Sequence, residues 1–280
     1  MERIILIETS TALCSTALAE DGVITSYRES SAPKAHASLT AVFIREMLEE
    51  RGLTIADCDA VCVSMGPGSY TGLRVGVSTA KGLCFGSGKP LLAVGTLDTL
   101  VAQALEIATA PAEPRNDSGK EEPRNDVSYV IPMIDARRME VYAAVYEIAT
   151  APAEPRNDSG KEEPCNDSGK EEPCNDSGKE EPRNVTVRQV TETAPVIVDG
   201  DSFAEYLEQG PCLFIGDGAG KCADVLKHPN AHFCQCFPKA SSMPAPATRA
   251  YKEKRFEDIA YFEPFYLKEF VATVSKKKLF

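Results

Sequence analysis

Three histidines are present, His36, His228 and His232, and ten cysteines. His228, His232, Cys234 and Cys236 fall together in HPNAHFCQC. Those residue types ligate zinc, but Pro229 breaks a helical i, i+4 pairing and there is no C-x-x-C. The stretch reads as a surface loop. His36 beside Asp57 or Ser69 is too thin a basis for a Ser-His-Asp set. Cys14, Cys58, Cys62, Cys84 and Cys212 stand singly among apolar or small residues, the pattern of reduced, buried thiols. Cys165 and Cys174 sit in a repeated polar segment and read as incidental.

Two glycine loops could cradle phosphate. GPGSYTGLRVG, residues 66–76, carries Gly66, Gly68, Ser69, Thr71 and Gly72 ahead of a helix. It fails the dinucleotide pattern, because Thr71 stands where the third glycine belongs. It fails the Walker A spacing as well. What remains is a tight turn and N-cap before a closely packed helix, with anion binding at the helix N-terminus as the alternative. GDGAGKC, residues 216–222, is one residue short of a Walker A loop, and Cys222 replaces the Ser/Thr that would hold Mg²⁺.

Positioning these groups requires strands and helices in alternation. Residues 3–8, 15–19 and 23–28 read as a strand meander. A helix over 35–51 ends at Gly52, and its apolar residues cover more than half its circumference, where one buried face needs about 100°. Such a helix should pack on its own core and on something else. A doubly buried strand follows at 59–65, then a helix over 71–86 with Gly72, Gly76 and Ala80 spaced for close backbone approach. Strands are expected at 90–94, 127–134, 140–146, 196–198 and 212–215, with a charged hairpin tip DARRM between the second and third. A short helix is expected near 220–227. The order implies an α/β fold with helices on its sheets, in two similar lobes.

The chain has 280 residues, 43% hydrophobic, with a net charge of −12. That excludes wholesale disorder and argues against unaided binding of a long phosphate backbone. RNA presented by a partner stays open. The 17 letters at 107–123 recur unchanged at 148–164, and NDSGKEEP recurs further on. These units have no apolar face and cannot offset their ordering entropy, so 107–126 and 148–184 are expected to be disordered insertions. They account for seven of the twelve net negative charges. The expected organisation is a first lobe over 1–106 and a second over 127–147 and 185–280. The first apolar run, 4–7, is too short for a span or a signal, which places the protein in the cytoplasm with no membrane association.

ILIETST (5–11), SMGPGSYTGLRVGVSTAKGLCFGSGKPLLAVGTLDTL (64–100) and EPFYLKEF (263–270) resemble the TsaB family, accessory subunits in synthesis of threonylcarbamoyladenosine in tRNA. The resemblance covers essentially all of the chain outside the insertions. It implies the two-lobed actin-like, Hsp70-like, sugar-kinase-like (ASKHA) fold. The catalytic relative, TsaD, carries a metal-binding His-x-x-x-His pair at places that fall here on Thr96 and Leu100, neither a competent ligand there. Glu8 stands where many relatives have Asp. The resemblance therefore implies no catalytic residue, no cofactor and no metal, and so a pseudoenzyme. It implies a scaffold that binds a TsaD-type catalytic subunit through the helices 35–51 and 71–86 and supports threonylcarbamoyl transfer to the adenosine beside the anticodon in tRNAs reading codons that begin with A. Leu39, Phe43 and Met47 with Leu73, Val77 and Lys81 are expected to line that face. A TsaE-type ATPase is expected near the junction, tRNA only through the complex, and a homodimer when the partner is missing. The competing readings are an ATP-dependent small-molecule kinase and a glycoprotease-like peptidase.

Overall fold

The computed structural model describes residues 1–109, 127–150 and 185–267. Most of both expected insertions, and the chain after residue 267, lie outside the described residues. Strands β1 (Arg3–Glu8), β2 (Cys14–Glu20) and β3 (Val23–Ser30) form the expected meander. Helix α1 (Ala35–Glu50), strand β4 (Ala60–Gly66), helix α2 (Tyr70–Ser87) and strand β5 (Leu91–Gly95) follow, then helix α3 (Thr96–Thr109). The second half holds β6 (Tyr129–Asp135), β7 (Glu140–Ala143), β8 (Tyr146–Thr150), β9 (Val185–Gln189), β10 (Ala194–Ile197), α4 (Ala204–Gln209), β11 (Cys212–Gly216), α5 (Ala219–Cys222), β12 (Ala231–Gln235) and α6 (Pro244–Lys252).

The first sheet runs β3-β2-β1-β4-β5, antiparallel at the meander and parallel where β4 and β5 join. Its central strands are buried on both faces, which is why they read as unbroken apolar runs. One face, with Ile5, Ile7, Val61 and Val63, is covered by α1 and α2 through Ile44, Met47, Leu48, Val77 and Ala80. The other, with Ile4, Leu6, Cys62 and Leu92, is covered by Ala240, Met243, Ala247 and Ala250. Residues Ala240–Ala250 thus complete the first lobe, although the sequence pattern puts them in the second. Alanines at a helical spacing on α6 let it lie close to that face.

The second sheet runs β10-β7-β6-β11-β12, with β8 and β9 paired beside β6. Phe214, Ile131 and Met133 pack with Leu207, Ala219 and Cys222 on one side. Val130, Ile134, Leu213 and Ile215 pack with Leu97, Leu100, Val101 and Ala104 of α3 on the other. Helix α3, unforeseen from sequence, also touches β4, β5 and α6, so it is shared by both sheets.

Two expected boundaries move. The first insertion begins inside α3, and the second begins inside β8, where Ile148 pairs with Val187 and Ala149 with Thr186. HPNAHFCQC is not a loop over its second half: Ala231 to Gln235 pair in parallel with β11 as an edge strand.

Candidate functional site

The turn after β1 carries Glu8, Thr9, Ser10 and Thr11, all buried. The glycine loop sits directly on it. Ser69 N–H donates to Ser10 O at 2.6 Å, and Thr9 Oγ1 donates to Gly72 O at 2.9 Å. A Cβ at Gly68 would overlap the Ser10 carbonyl oxygen, and one at Gly72 the Thr9 carbonyl oxygen. Ser69 caps α2, its hydroxyl accepting from Gly72 N–H at 3.4 Å. The loop of Gly66, Gly68, Ser69, Thr71 and Gly72 is therefore a packing surface. Its small residues admit the β1–β2 turn, and two of the N–H groups that an anion would need are already used. Phe265 N–H donates to Met65 O at 2.7 Å and lays the chain over the far side of Gly66.

Glu8 is fully buried. Its Oε1 accepts from Ser10 N–H at 2.7 Å, while Oε2 has no partner of good geometry among the described residues. Burial pushes this carboxyl up. The nearby Ser10 and Ser64 hydroxyls pull the other way without reaching full hydrogen-bond geometry. Ser64 Oγ instead meets Thr96 Oγ1 at 2.8 Å. Thr96 thus points into this polar knot, and Leu100 is fully buried in the apolar layer between the lobes. No group of three or more potential metal ligands comes together among the described residues.

The second loop is engaged in the same manner. Gly218 N–H donates to Met133 O at 3.0 Å, and Gly220 N–H to Gln235 Oε1 at 2.6 Å. Lys221 is held by Asp135 and donates to Glu140 O at 2.7 Å. Asp217 accepts from Asp135 N–H at 2.9 Å, and burial pushes its carboxyl up to about 6. A lysine fixed by a carboxylate and loop amides spent on neighbours leave little with which to bind a nucleotide phosphate. The helix that follows is one turn long, shorter than the expected 220–227.

The expected docking residues divide. Met47, Leu73 and Val77 are 1%, 0% and 4% exposed and belong to the chain's own core, so they do not line an outer face. Lys81 donates to Ala260 O at 3.2 Å and Phe262 O at 3.1 Å, pinning the C-terminal strap on α2. Leu39 and Phe43 remain half-buried. A spacing of i, i+4 puts the three α1 residues on one ridge, but Met47 packs with Ile44 and Leu48 in the core beneath the helix, whereas Leu39 and Phe43 stay partly exposed. The exposed side of α2 instead carries Thr71, Arg74, Ser78, Gly82 and Phe85, with Phe85 85% exposed. Beside it lies an open depression of about 760 Å³ between Phe85, Gly82, Lys81 and residues 257–260. Tyr261, 84% exposed, follows. In the sequence the only sign of this face is a lone Phe between Cys84 and Gly86.

Two lobes, each a mixed sheet flanked by helices and joined through a shared helix, define an actin-like α/β protein. A family model described as "TsaD: tRNA N6-adenosine threonylcarbamoyltransferase" matches residues 28–277, and the chain belongs to that family. It is similar to the tRNA threonylcarbamoyladenosine biosynthesis protein TsaB of Escherichia coli K12, 33% identical over 144 residues, covering 51% of this chain and 54% of that protein. It is also similar to the tRNA N6-adenosine threonylcarbamoyltransferase of Maricaulis maris, 42% identical over 67 residues, 24% of this chain and 18% of that one. The chain's match spans about half the length of the TsaB relative. In fold it resembles YeaZ from Pseudomonas aeruginosa, with a TM-score of 0.67 and 22% identity over 95% of this chain and 100% of that one. The TsaB-type resemblance read from the motifs therefore stands, as does the fold class.

Proposed function

We propose that the chain is a non-catalytic subunit of tRNA threonylcarbamoyladenosine biosynthesis, and that it acts by binding a TsaD-type catalytic subunit. The observation that supports this most is the state of the two glycine loops. The first is filled by the β1–β2 turn, and the second is tied to Asp135, Met133 and Gln235. With Thr96 turned to Ser64 and Leu100 packed between the lobes, the chain supplies no metal centre at the places where the catalytic relative has one.

The proposed contact face is the outer side of α1 and α2. Leu39 and Phe43 of the expected set belong to it, with Arg74, Ser78 and Phe85 in place of the three core residues and Lys81. An exposed phenylalanine flanked by small residues is the kind of anchor a partner pocket takes up. A TsaE-type ATPase would join at the edge of this pair, tRNA would be reached through the complex, and an unpartnered chain would self-associate by the same face. The proposal places the protein in the cytoplasm with its tRNA substrate. Among the described residues no helix is long and apolar enough to cross a membrane.

The test is co-purification with the catalytic subunit, a modification assay with this chain left out, and an ATP titration of the isolated chain. Expected are a stable pair, loss of modification on omission, and no stoichiometric ATP binding. Full modification without the chain, or one ATP bound per chain, overturns the reading.

A further inference from the structure

Where the second sheet forks, it leaves a cavity. Strands β7 and β8 lie end to end along β6, with Ala144 and Val145 between them. Strands β10 and β9 continue beyond them, interrupted at residues 190–193. Across the break, Val190 N–H donates to Val145 O at 2.7 Å, and Val145 N–H donates to Thr191 Oγ1 at 2.9 Å. The start of α4 closes one side, and an open cavity of about 390 Å³ remains. Its floor is apolar: Ala143, Val145, Ala194 and Val196 come from the strands, Phe203 and Tyr206 from α4 and its cap. Both rings are held by aromatic neighbours. Phe203 packs edge-on to Phe214 with centroids 5.6 Å apart, and Tyr206 edge-on to Tyr129 at 5.3 Å.

The rim is acidic. Glu192, Asp201 and Glu205 line the cavity, and no lysine, arginine or histidine does. All three are exposed, and none joins an ion pair among the described residues. The turn before α4 uses a different carboxylate for its own bonding: Asp199 accepts from the Ser202 hydroxyl at 2.7 Å, which holds it below its ordinary range. The rim carboxylates also stand too far apart to share one ion, since no three potential metal ligands gather among the described residues. A compact cation is therefore a poor match, and magnesium, which demands close octahedral oxygens, the poorest. Ammonium groups joined by methylenes match both parts. The charges reach separate carboxylates, the methylenes cover the alanine and valine floor, and the rings attract a cation at about 6 Å or less.

We propose that this cavity binds a linear aliphatic polyamine, its ammonium groups paired with Glu192, Asp201 and Glu205 and its methylenes laid on the apolar floor. The site belongs to the second lobe and does not depend on the contact face assigned to α1 and α2.

The test is a calorimetric titration of the full chain with spermidine at about 0.15 M salt, where distant exposed charges are screened. One equivalent is expected. Glu192→Gln/Asp201→Asn/Glu205→Gln should weaken binding about 10-fold or more, the scale of three exposed ion pairs lost together. Glu49→Gln/Asp224→Asn/Glu253→Gln loses the same charge elsewhere and should bind as the parent does. Ala204, exposed at the cavity's edge, gives a test free of charge: Ala204→Leu fills the space with another good helix former and should also weaken binding. Equimolar magnesium should not displace spermidine. Melting curves without polyamine confirm that the variants are folded. Binding of no fixed stoichiometry, or equal weakening in the two triple variants, overturns the proposal, because spermidine is then a counterion to the whole acidic chain. Undiminished binding by folded Ala204→Leu, or displacement by magnesium, overturns it as well.

Discussion

Glu8 ends β1 and is fully buried beside the turn on which the glycine loop sits. Its carboxyl is raised in the folded chain, so the native state holds the proton more tightly than the unfolded state does. Stability from this group is therefore complete below the ordinary carboxylate range and is lost as pH rises through the folded value. Glu8→Gln keeps the shape and removes the ionisation. It should melt higher than the parent at pH 8, with the gap closing toward pH 4, each kcal/mol appearing as about 2–4 °C. A gap that widens toward acid contradicts the assignment. Gly72 tests the loop in another way. Alanine favours a helix by about 1 kcal/mol, but its Cβ would strike the Thr9 carbonyl, and overpacking of this kind costs about 1–3 kcal/mol. Gly72→Ala should melt lower than the parent despite the better helix former.

At the scale of elements, what was legible was what local pattern dictates. The meander, α1, β4 and α2 follow from apolar runs, Gly52 and the capping Ser69, and they stand within a residue or two of expectation. Which side of α1 and α2 faces out was not legible, because burial is decided by the sheet beneath. A period of four marks neighbours on a helix without telling core from surface. Helix α3 was missed although Leu97, Leu100, Val101 and Ala104 follow a helical period. Strand β12 was missed because His and Gln mask its alternation. The division of α1 and α2 is checked by paired substitutions. Met47→Ala should lose about 2–5 kcal/mol as a buried truncation, read by denaturant unfolding. Phe85→Asp should leave melting unchanged and abolish co-purification with the catalytic subunit. A variant of Phe85 that still pairs places the contact elsewhere. Lys81→Met should free the strap at a cost of about 1 kcal/mol and speed proteolysis within 253–267.

On the scale of the whole molecule, the two strands that flank residues 151–184, β8 and β9, pair with each other. Loop length costs little, each doubling about 0.6 kcal/mol. Replacing 151–184 by a short Gly-Ser linker should therefore shift stability by no more than about 1 kcal/mol. Cutting from 148 instead should do clearly worse, since it removes the pairings of Ile148 with Val187 and Ala149 with Thr186 and a side chain packed beside α3. Thermal melting of the two deletions side by side decides this. Equal melting would mean that the last residues of β8 contribute nothing. The repeats are plain in the sequence because exact repetition shows itself. Their edges are not, because IAT is as good an end to a strand or helix as it is a start to the repeat.

The strands of the first sheet are synthesised well before the residues that finish it. One of its faces, with Ile4, Leu6, Cys62 and Leu92, is closed only by residues 240–250, and β5 receives the Glu257 N–H at its edge. During translation the meander, α1 and α2 can assemble with that face bare. It stays bare for as long as the ribosome takes to add the second lobe and both repeats. At about 5–20 residues per second that is a matter of roughly seven to thirty seconds, during which a chaperone has an apolar surface to hold.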